Sequence, residues 1–441
     1  MRLLYNILFP ICFALSTPFY FLKMWRRGNW RAGFGQRFGR YDGKLKQRLT
    51  NRDVLWLHAV SVGEVNICTQ LIRAIEPRAP NLKIVVSTTT STGMGELRRT
   101  LPQHIDKIYY PVDGRKIIRR AVNTIHPIAI VLVEAEIWPN LLWVANDRNI
   151  PLFLVNARLS QRSFRGYKGF GFLFRPIFKS FEGVGCQDAN DAGRLRELGF
   201  RPEKTHVVGN LKFDAAKLGD RRLLDVPALL AQLGVDKGAR ILVAGSTHAG
   251  EEIILAEIFL RLREKFPDLF LVLVPRHFER GKEVARELEK RGIKFVYRST
   301  ITPQTRQQPN EVNCLLVNTT GELRFFYEHA SVIFVGKSLT AEGGQNPIEP
   351  GALGKAMVFG PNMQNFASIA DAFVKKDGAV QVRDAAELEQ TFVCLLADES
   401  RRNALGENAL EVVRENLGAM ERTVEMILRD LPEVNSAKKR A

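Results

Sequence analysis

Residues 56–65, WLHAVSVGEV, read as the end of a buried strand handing over to a helix, with Gly63 immediately before Glu64 at the handover. A carboxylate delivered at such a point is either a helix-start charge or a base facing a cleft, and these ten residues leave both readings open. The fold is decided by the kind of strand. DVLWLHAV (53–60) is a continuous apolar run rather than a strict alternation, as expected of a parallel strand covered on both faces. Runs of the same kind recur at 82–88, 107–112, 128–135, 151–157, 183–186 and 205–209, with helical patterns between them, for example over 64–78 and 138–148.

After the polar stretch KFDAAKLGDRRLLD (212–225) the pattern restarts. Strands are predicted at 239–246, 269–276, 293–297, 313–318, 331–336, 356–360 and 379–382, and helices at about 249–266, 278–291, 321–329, 364–376 and 384–398. Two such blocks imply an α/β protein with two Rossmann-like, doubly wound parallel-sheet domains facing a central cleft. The expected division is 1–25, 26–50, a first domain over 51–211, a linker over 212–225, a second domain over 226–425 and a polar tail over 426–441.

The first of these segments stands apart. Leu3 to Leu22 carries no charge and has about the 20 residues of a membrane span, so an N-terminal anchor helix is expected over 1–25. Lys23, Arg26, Arg27, Arg31, Arg37 and Arg40 follow as a basic juxtamembrane segment, which keeps the rest of the chain on the cytoplasmic side. Pro10 and Pro18 suit a kinked or shallow insertion as well as a span. Across the chain, 64 Lys and Arg against 47 Asp and Glu give +17, a field that suits anionic lipid, phosphorylated substrates or nucleic acid. No interleaving of basic and aromatic residues of an RNA-binding kind is present, so nucleic acid is not expected as a partner. The five scattered cysteines form neither a disulfide framework nor a zinc pattern.

In open parallel sheets, ligands bind beyond the carboxyl ends of the strands. The segments there are HAVSVGE (58–64), STTTSTG (87–93), EAEIWPN (134–140) and NARLS (156–160), all polar and all on one predicted rim. Ser61, Gly63, Glu64 and Glu134 are its candidates, with Glu136 beside Glu134 as a second carboxylate at the end of an apolar strand, and any one alone reads also as a helix cap or a satisfied turn. Lys212, in GNLKFD (209–214), is placed to reach a phosphate or carboxylate. The second block has AGSTHAGEE (244–252) with Ser246 and His248, VPRHFER (274–280) with Pro275 and Arg276, and NTTGEL (318–323) with Thr320, Gly321 and Glu322. GGQNPIEPGALGK (343–355) adds Asn346, Pro347, Ile348 and Glu349 behind a glycine pair. Small residues opening helices suit an anionic group, and Arg276 suits a phosphate or carboxylate. There is no GxxxxGK, GxSxG, HExxH or DxD, so no metal and no cofactor is expected.

Taken in order, WLHAVSVGE, STTTSTG, EAEIWPN, NARLS, GNLKFD, AGSTHAGEE, VPRH, TGEL and GGQNPIEP resemble the 3-deoxy-D-manno-octulosonic acid (Kdo) transferases of lipid A assembly, inverting glycosyltransferases of the GT-B fold. The resemblance runs from the N-terminal helix to about residue 425. It implies transfer of Kdo from CMP-Kdo to the lipid A precursor lipid IVA at the cytoplasmic face of the bacterial inner membrane, without a metal. It further implies Glu64 as general base, with Glu134 and Lys212 assisting the transition state. Pro275, Arg276, Thr320, Gly321, Glu322, Asn346, Pro347, Ile348 and Glu349 would form the CMP-Kdo pocket, with Ser61, Gly63, Ser246 and His248 as further contacts. Gln345 departs from the His that many members carry in this loop. The competing readings are another GT-B enzyme of envelope biosynthesis, such as a lipid A disaccharide synthase or a sugar-nucleotide epimerase, and a basic membrane-tethered binding module.

Overall fold

The continuous apolar runs do become parallel strands. The computed structural model of the chain describes residues 2–26, 31–134, 136–215 and 224–431. Met1, 27–30 of the basic segment, 216–223 of the linker and 432–441 of the tail lie outside the described residues. The chain divides into two units, one comprising Met1–Ala215 with Leu417–Ala441 and the other Ala216–Asn416.

In the first unit the strands are β1 (Val54–His58), β2 (Lys83–Thr88), β3 (Asp106–Tyr109), β4 (Pro127–Val133), β5 (Leu152–Ala157), β6 (Phe181–Cys186) and β7 (Thr205–Val207). They form one parallel sheet in the order β3-β2-β1-β4-β5-β6-β7, so the winding reverses between β1 and β4. Alternate residues of β1 enter two separate core layers, Val54 and Trp56 on one face and Leu55 and Leu57 on the other. All four are fully buried. Burying one such aliphatic side chain is worth about 1.5–3 kcal/mol, which is why a strand at the centre of a parallel sheet reads as an unbroken apolar run.

The helix Val62–Ile75 covers the Leu55/Leu57 face, together with the late helix Ala419–Arg429. That late helix contributes Ala419, Val424 and Ile427 to the layer, and Gly183 in β6 leaves room for its Met426. Asp214 holds its start, accepting from the backbone N–H of Gly418 (2.9 Å) and Met420 (2.7 Å). Residues 417–425, allotted to the second domain from their position in the chain, therefore pack within the first. The beginning of the 212–225 stretch is likewise not free chain: Leu211–Ala215 is a short helix with Phe213 buried.

The N-terminal helix Arg2–Arg26 runs through Pro10 and Pro18. Its stretch Arg2–Phe19 is long and apolar enough to cross a membrane, by length and composition. Leu3, Ile7, Ile11, Leu15 and Phe19, at four-residue steps, form an exposed apolar stripe. Its first turn is fastened to the first unit, with Arg2 paired to Asp147 (2.7 Å) and the Tyr5 hydroxyl donating to Asp113 (2.8 Å). Beyond it, Arg37 donates to the Thr89 carbonyl (2.8 Å) and Gln36 accepts from the Tyr109 amide (2.9 Å).

The second unit repeats the plan with β8 (Ile241–Thr247), β9 (Phe270–Pro275), β10 (Phe295–Tyr297), β11 (Cys314–Leu316), β12 (Val332–Val335), β13 (Met357–Phe359) and β14 (Val380–Gln381). The parallel order is β10-β11-β9-β8-β12-β13-β14, with the reversal between β8 and β12. Gly245 in β8 is required, since a Cβ there would meet the Tyr327 hydroxyl at 2.0 Å. The reversal is closed by one carboxylate. Glu251, fully buried, accepts from the backbone N–H groups of His248 (2.9 Å), Lys337 (2.7 Å), Ser338 (2.9 Å) and Leu339 (3.0 Å). Glu251→Ala leaves four donors without that acceptor and is expected to cost roughly 3 kcal/mol or more. Amide exchange at Lys337–Leu339 checks this: protection should fall sharply in the alanine variant and recover in part in Glu251→Gln.

Candidate active site

The strand-to-helix turn after β1 is built by local chemistry. Ser61 is the N-cap of Val62–Ile75, and its hydroxyl accepts from the Glu64 amide. Glu64 reaches back, accepting from the Ser61 hydroxyl (2.6 Å), the Ser61 amide (3.3 Å) and the Val60 amide (2.8 Å). This is a capping box, so the helix-start reading of Glu64 is correct as far as it goes. The carboxyl is also 9 % exposed, and burial pushes its pKa above the ordinary glutamate value, with the charge of Glu134 adding to the rise. The bonds from Ser61 and Val60 pull the other way. A carboxylate that is hydrogen-bonded for the ionised form yet more basic than usual is suited to removing a proton near neutral pH.

Across the winding reversal, β4 ends at Val133 and Glu134 takes a left-handed φ of 63°. Such a conformation in a non-glycine residue is costly and marks a place where the surroundings dictate the backbone. Glu134 Oε1 lies 3.7 Å from Lys212 Nζ and 3.5 Å from Asn156 Nδ2. Asn156, itself at φ 52°, is buried at the end of β5 and accepts from the Leu211 amide at 3.1 Å. Asn210 donates to Gln187, and Gln187 donates to the Asn156 carbonyl. This buried amide chain places Lys212 against Glu134, although the two are far apart in sequence. Ser61, Gly63, Glu64, Glu134 and Lys212 therefore share the carboxyl-end rim of one sheet. Glu136 belongs to the same rim, as do Asn156, Gln187 and Asn210, which were not among its candidates; their only signal was polarity at a strand end.

In the second unit Arg276 follows β9 and Ser246 sits in β8 with a φ of 55°. Helix Glu251–Lys265 begins with Glu251, so its own carboxylate occupies the His248 amide that might have faced an anion. Asn346 accepts from the Ile348 amide (3.1 Å) and donates to Glu349 (3.2 Å). Burial raises the Glu349 carboxyl, while Asn346, Arg324 and Arg276 lower it. The charges of both Arg276 and Arg324 thus reach the Glu349 carboxyl, and Arg324 is a cation missed from sequence. Pro347 and Ile348 are buried and position that loop. Thr320 and Gly321 are exposed, and Gly321 has a left-handed φ of 84°. Glu322 pairs instead with Arg298 (2.9 Å) and accepts from the Thr319 hydroxyl. Gly343 has a φ of 126°, a conformation that favours glycine, and the Lys337 ammonium lies 3.2 Å from where a Cβ would stand. That places a second missed cation beside the glycine pair.

Two doubly wound parallel sheets, each with polar residues gathered beyond its strand ends, define a protein of the GT-B type of fold. Among solved structures, the UDP-GlcNAc 2-epimerase from Neisseria meningitidis bound to UDP-GlcNAc superposes with a TM-score of 0.59 over 86% of this chain and 100% of that one, at 15% identity. That likeness is one of fold. The family model described as 3-deoxy-D-manno-octulosonic-acid transferase (kdotransferase) matches residues 32–215. A 3-deoxy-D-manno-octulosonic acid transferase of Haemophilus influenzae is 33% identical over 97% of this chain and 98% of its own length. One from Bordetella pertussis is 31% identical over 93% of this chain and 96% of its own length. The chain belongs to the Kdo transferase family.

Ser61→Ala removes the cap of Val62–Ile75 and is expected to destabilise the first unit by about 1 kcal/mol. Denaturant unfolding followed by the fluorescence of buried Trp56 checks it.

Proposed function

We propose that this Kdo transferase takes Kdo from CMP-Kdo and delivers it to a hydroxyl of the lipid A precursor lipid IVA, with inversion, without a metal, and with Glu64 as general base. The observation that carries the reading is the Glu64 carboxyl, buried, raised in proton affinity and held by three donors at the winding reversal of the first sheet. As the acceptor oxygen attacks the anomeric carbon, Glu64 takes its proton and CMP departs with the electrons of the broken C–O bond. Gly63, exposed and without a side chain, lets the acceptor approach that carboxyl. Lys212, balanced by Glu134, offers positive charge to an anionic group of the substrates. In the second unit Arg276, with Pro275, Thr320–Glu322 and Asn346–Glu349, holds CMP-Kdo, and cationic donors stabilise a phosphate leaving group without an acid. Ser246 and His248 are further contacts.

The N-terminal helix is the anchor. Its exposed apolar stripe, followed by the basic segment, suits the acidic cytoplasmic leaflet of the inner membrane, where each basic residue adds about 1 kcal/mol. The first turn of the helix and the chain beyond its end both rest on the first unit. A helix so tethered lies in the interface rather than carrying the chain across about 30 Å of hydrocarbon.

With CMP-Kdo and lipid IVA, the wild type is expected to release CMP only when the acceptor is present. Glu64→Gln should lower that rate by about 10²–10⁴-fold while leaving CMP affinity within about twofold. A near-normal rate would remove Glu64 from the role. Because Glu64 must be ionised to act, activity should fall as pH drops through a value above the ordinary carboxylate range. Ser61→Ala, by deleting a bond to the ionised form, should move that fall to higher pH. For the anchor, serine at Ile7, Ile11 and Leu15 together should abolish flotation with anionic vesicles; unchanged flotation would place the membrane contact elsewhere.

A further inference from the structure

His58, the last residue of β1, is fully buried and lies in the same turn system as Glu64. Its ring stacks on Tyr110 with centroids 3.9 Å apart and planes at 26°. Burial drives its pKa down to about 3, so the ring is neutral. Nδ1 sits 2.9 Å from the Ser87 hydroxyl and 3.1 Å from the Ser87 carbonyl. The Ser87 hydroxyl already accepts from Trp56 Nε1 at 2.8 Å, which leaves its own proton to give. Nδ1 at 2.9 Å is a nearer acceptor for it than the Leu57 carbonyl at 3.3 Å. Either tautomer satisfies Nδ1, which accepts from the Ser87 hydroxyl or donates to the Ser87 carbonyl. Nε2 is buried with no hydrogen bond, and it faces Glu136 Oε2 at 3.9 Å. The same oxygen accepts from Trp138 Nε1 at 2.8 Å.

A buried ring nitrogen facing a carboxylate, on a ring stacked against Tyr110, is more than core filling requires. We propose that His58 carries its ring proton on Nε2 and is a positioning residue for the transfer: together with Trp138 it fixes the Glu136 carboxylate as a standing negative charge beside Glu64, the proposed base. The inference rests on the reading of Glu64 given above. The role requires the Glu136 side chain to close the 3.9 Å that separates it from Nε2. Two N–H groups then favour its ionised form, against burial and the charges of Glu64 and Glu134, which oppose it. Electrostatic coupling is mutual, so an ionised Glu136 makes Glu64 hold a proton more tightly and act as a stronger base. The other titratable groups around this point are Glu134 with Lys212, Tyr110, Tyr167 on the helix Gln161–Gly169, and Asp113, which acts on Tyr110.

The test is the pH profile of kcat/KM for CMP release with lipid IVA. In Glu136→Gln the acid limb should move to lower pH by about half a unit or more, a threefold rate ratio on the limb. His58→Phe keeps the stack on Tyr110 but removes the N–H; it should move the limb in the same direction, with no further shift in the double variant. His58→Gln, which returns an N–H, should restore the wild-type profile. Should His58→Phe fail to fold, Trp138→Phe, which deletes only the other donor to Glu136, takes its place with the same expected direction. A limb that stays put in Glu136→Gln, or shifts that add in the double variant, overturns the inference while leaving Glu64 as base. A wild type that releases no CMP with acceptor, or a Glu64→Gln variant that keeps its rate, overturns the underlying reading and this inference with it.

Discussion

The winding reversal of each parallel sheet is the constraint on which the rest of the structure depends. Where a strand has neighbours whose crossover helices leave to opposite faces, the space beyond its carboxyl end cannot be covered by either helix. In the first unit that strand is β1 beside β4, and in the second it is β8 beside β12. The chain meets both openings with carboxylates, because the helix starts that surround them present backbone N–H groups in need of acceptors. The two carboxylates end up with different occupations. Glu251 is consumed by four backbone amides and serves structure. Glu64 is held by three donors from its own turn, remains at a rim and keeps a raised proton affinity.

That difference explains how a capping residue can also keep the raised proton affinity that the proposed base needs. The bonds that satisfy the first turn of Val62–Ile75 aim the Glu64 carboxyl and favour its charge, while burial and Glu134 disfavour the charge. Neither influence alone produces a usable base. Burial alone would leave the group protonated, and hydrogen bonding alone would make it too weak to take a proton. The left-handed backbone at Glu134 and Asn156 is strain of the same origin, absorbed where two strand ends must turn polar side chains toward one rim.

The fold was legible because parallel strands buried on both faces write themselves as continuous apolar runs, and each expected run overlaps a strand. The helix after β1 was legible from its cap. What could not be read was the destination of residues 417–425, whose amphipathic face fits the first unit although the chain has by then passed through the second. The 212–225 stretch looked like polar linker, yet Leu211 and Phe213 are core residues and Asp214 is a helix-end acceptor. In the site, residue types at strand ends pointed to Glu64, Glu134 and Arg276. They could not point to Arg324 or Lys337, since nothing in a single segment says which side chain another strand end will present to it.

The sequence by itself determined two doubly wound α/β blocks, an apolar basic-flanked N-terminal helix, and family membership through ordered motifs, because periodicity and spacing are local properties of the chain. Tertiary structure alone decided which carboxylate is spent on backbone amides and which stays basic. It alone paired Lys212 with Glu134 through a relay of buried amides, and it alone set a buried histidine facing Glu136. These outcomes depend on burial and on distances between segments far apart in the chain, and both exist only once the sheets have closed around them.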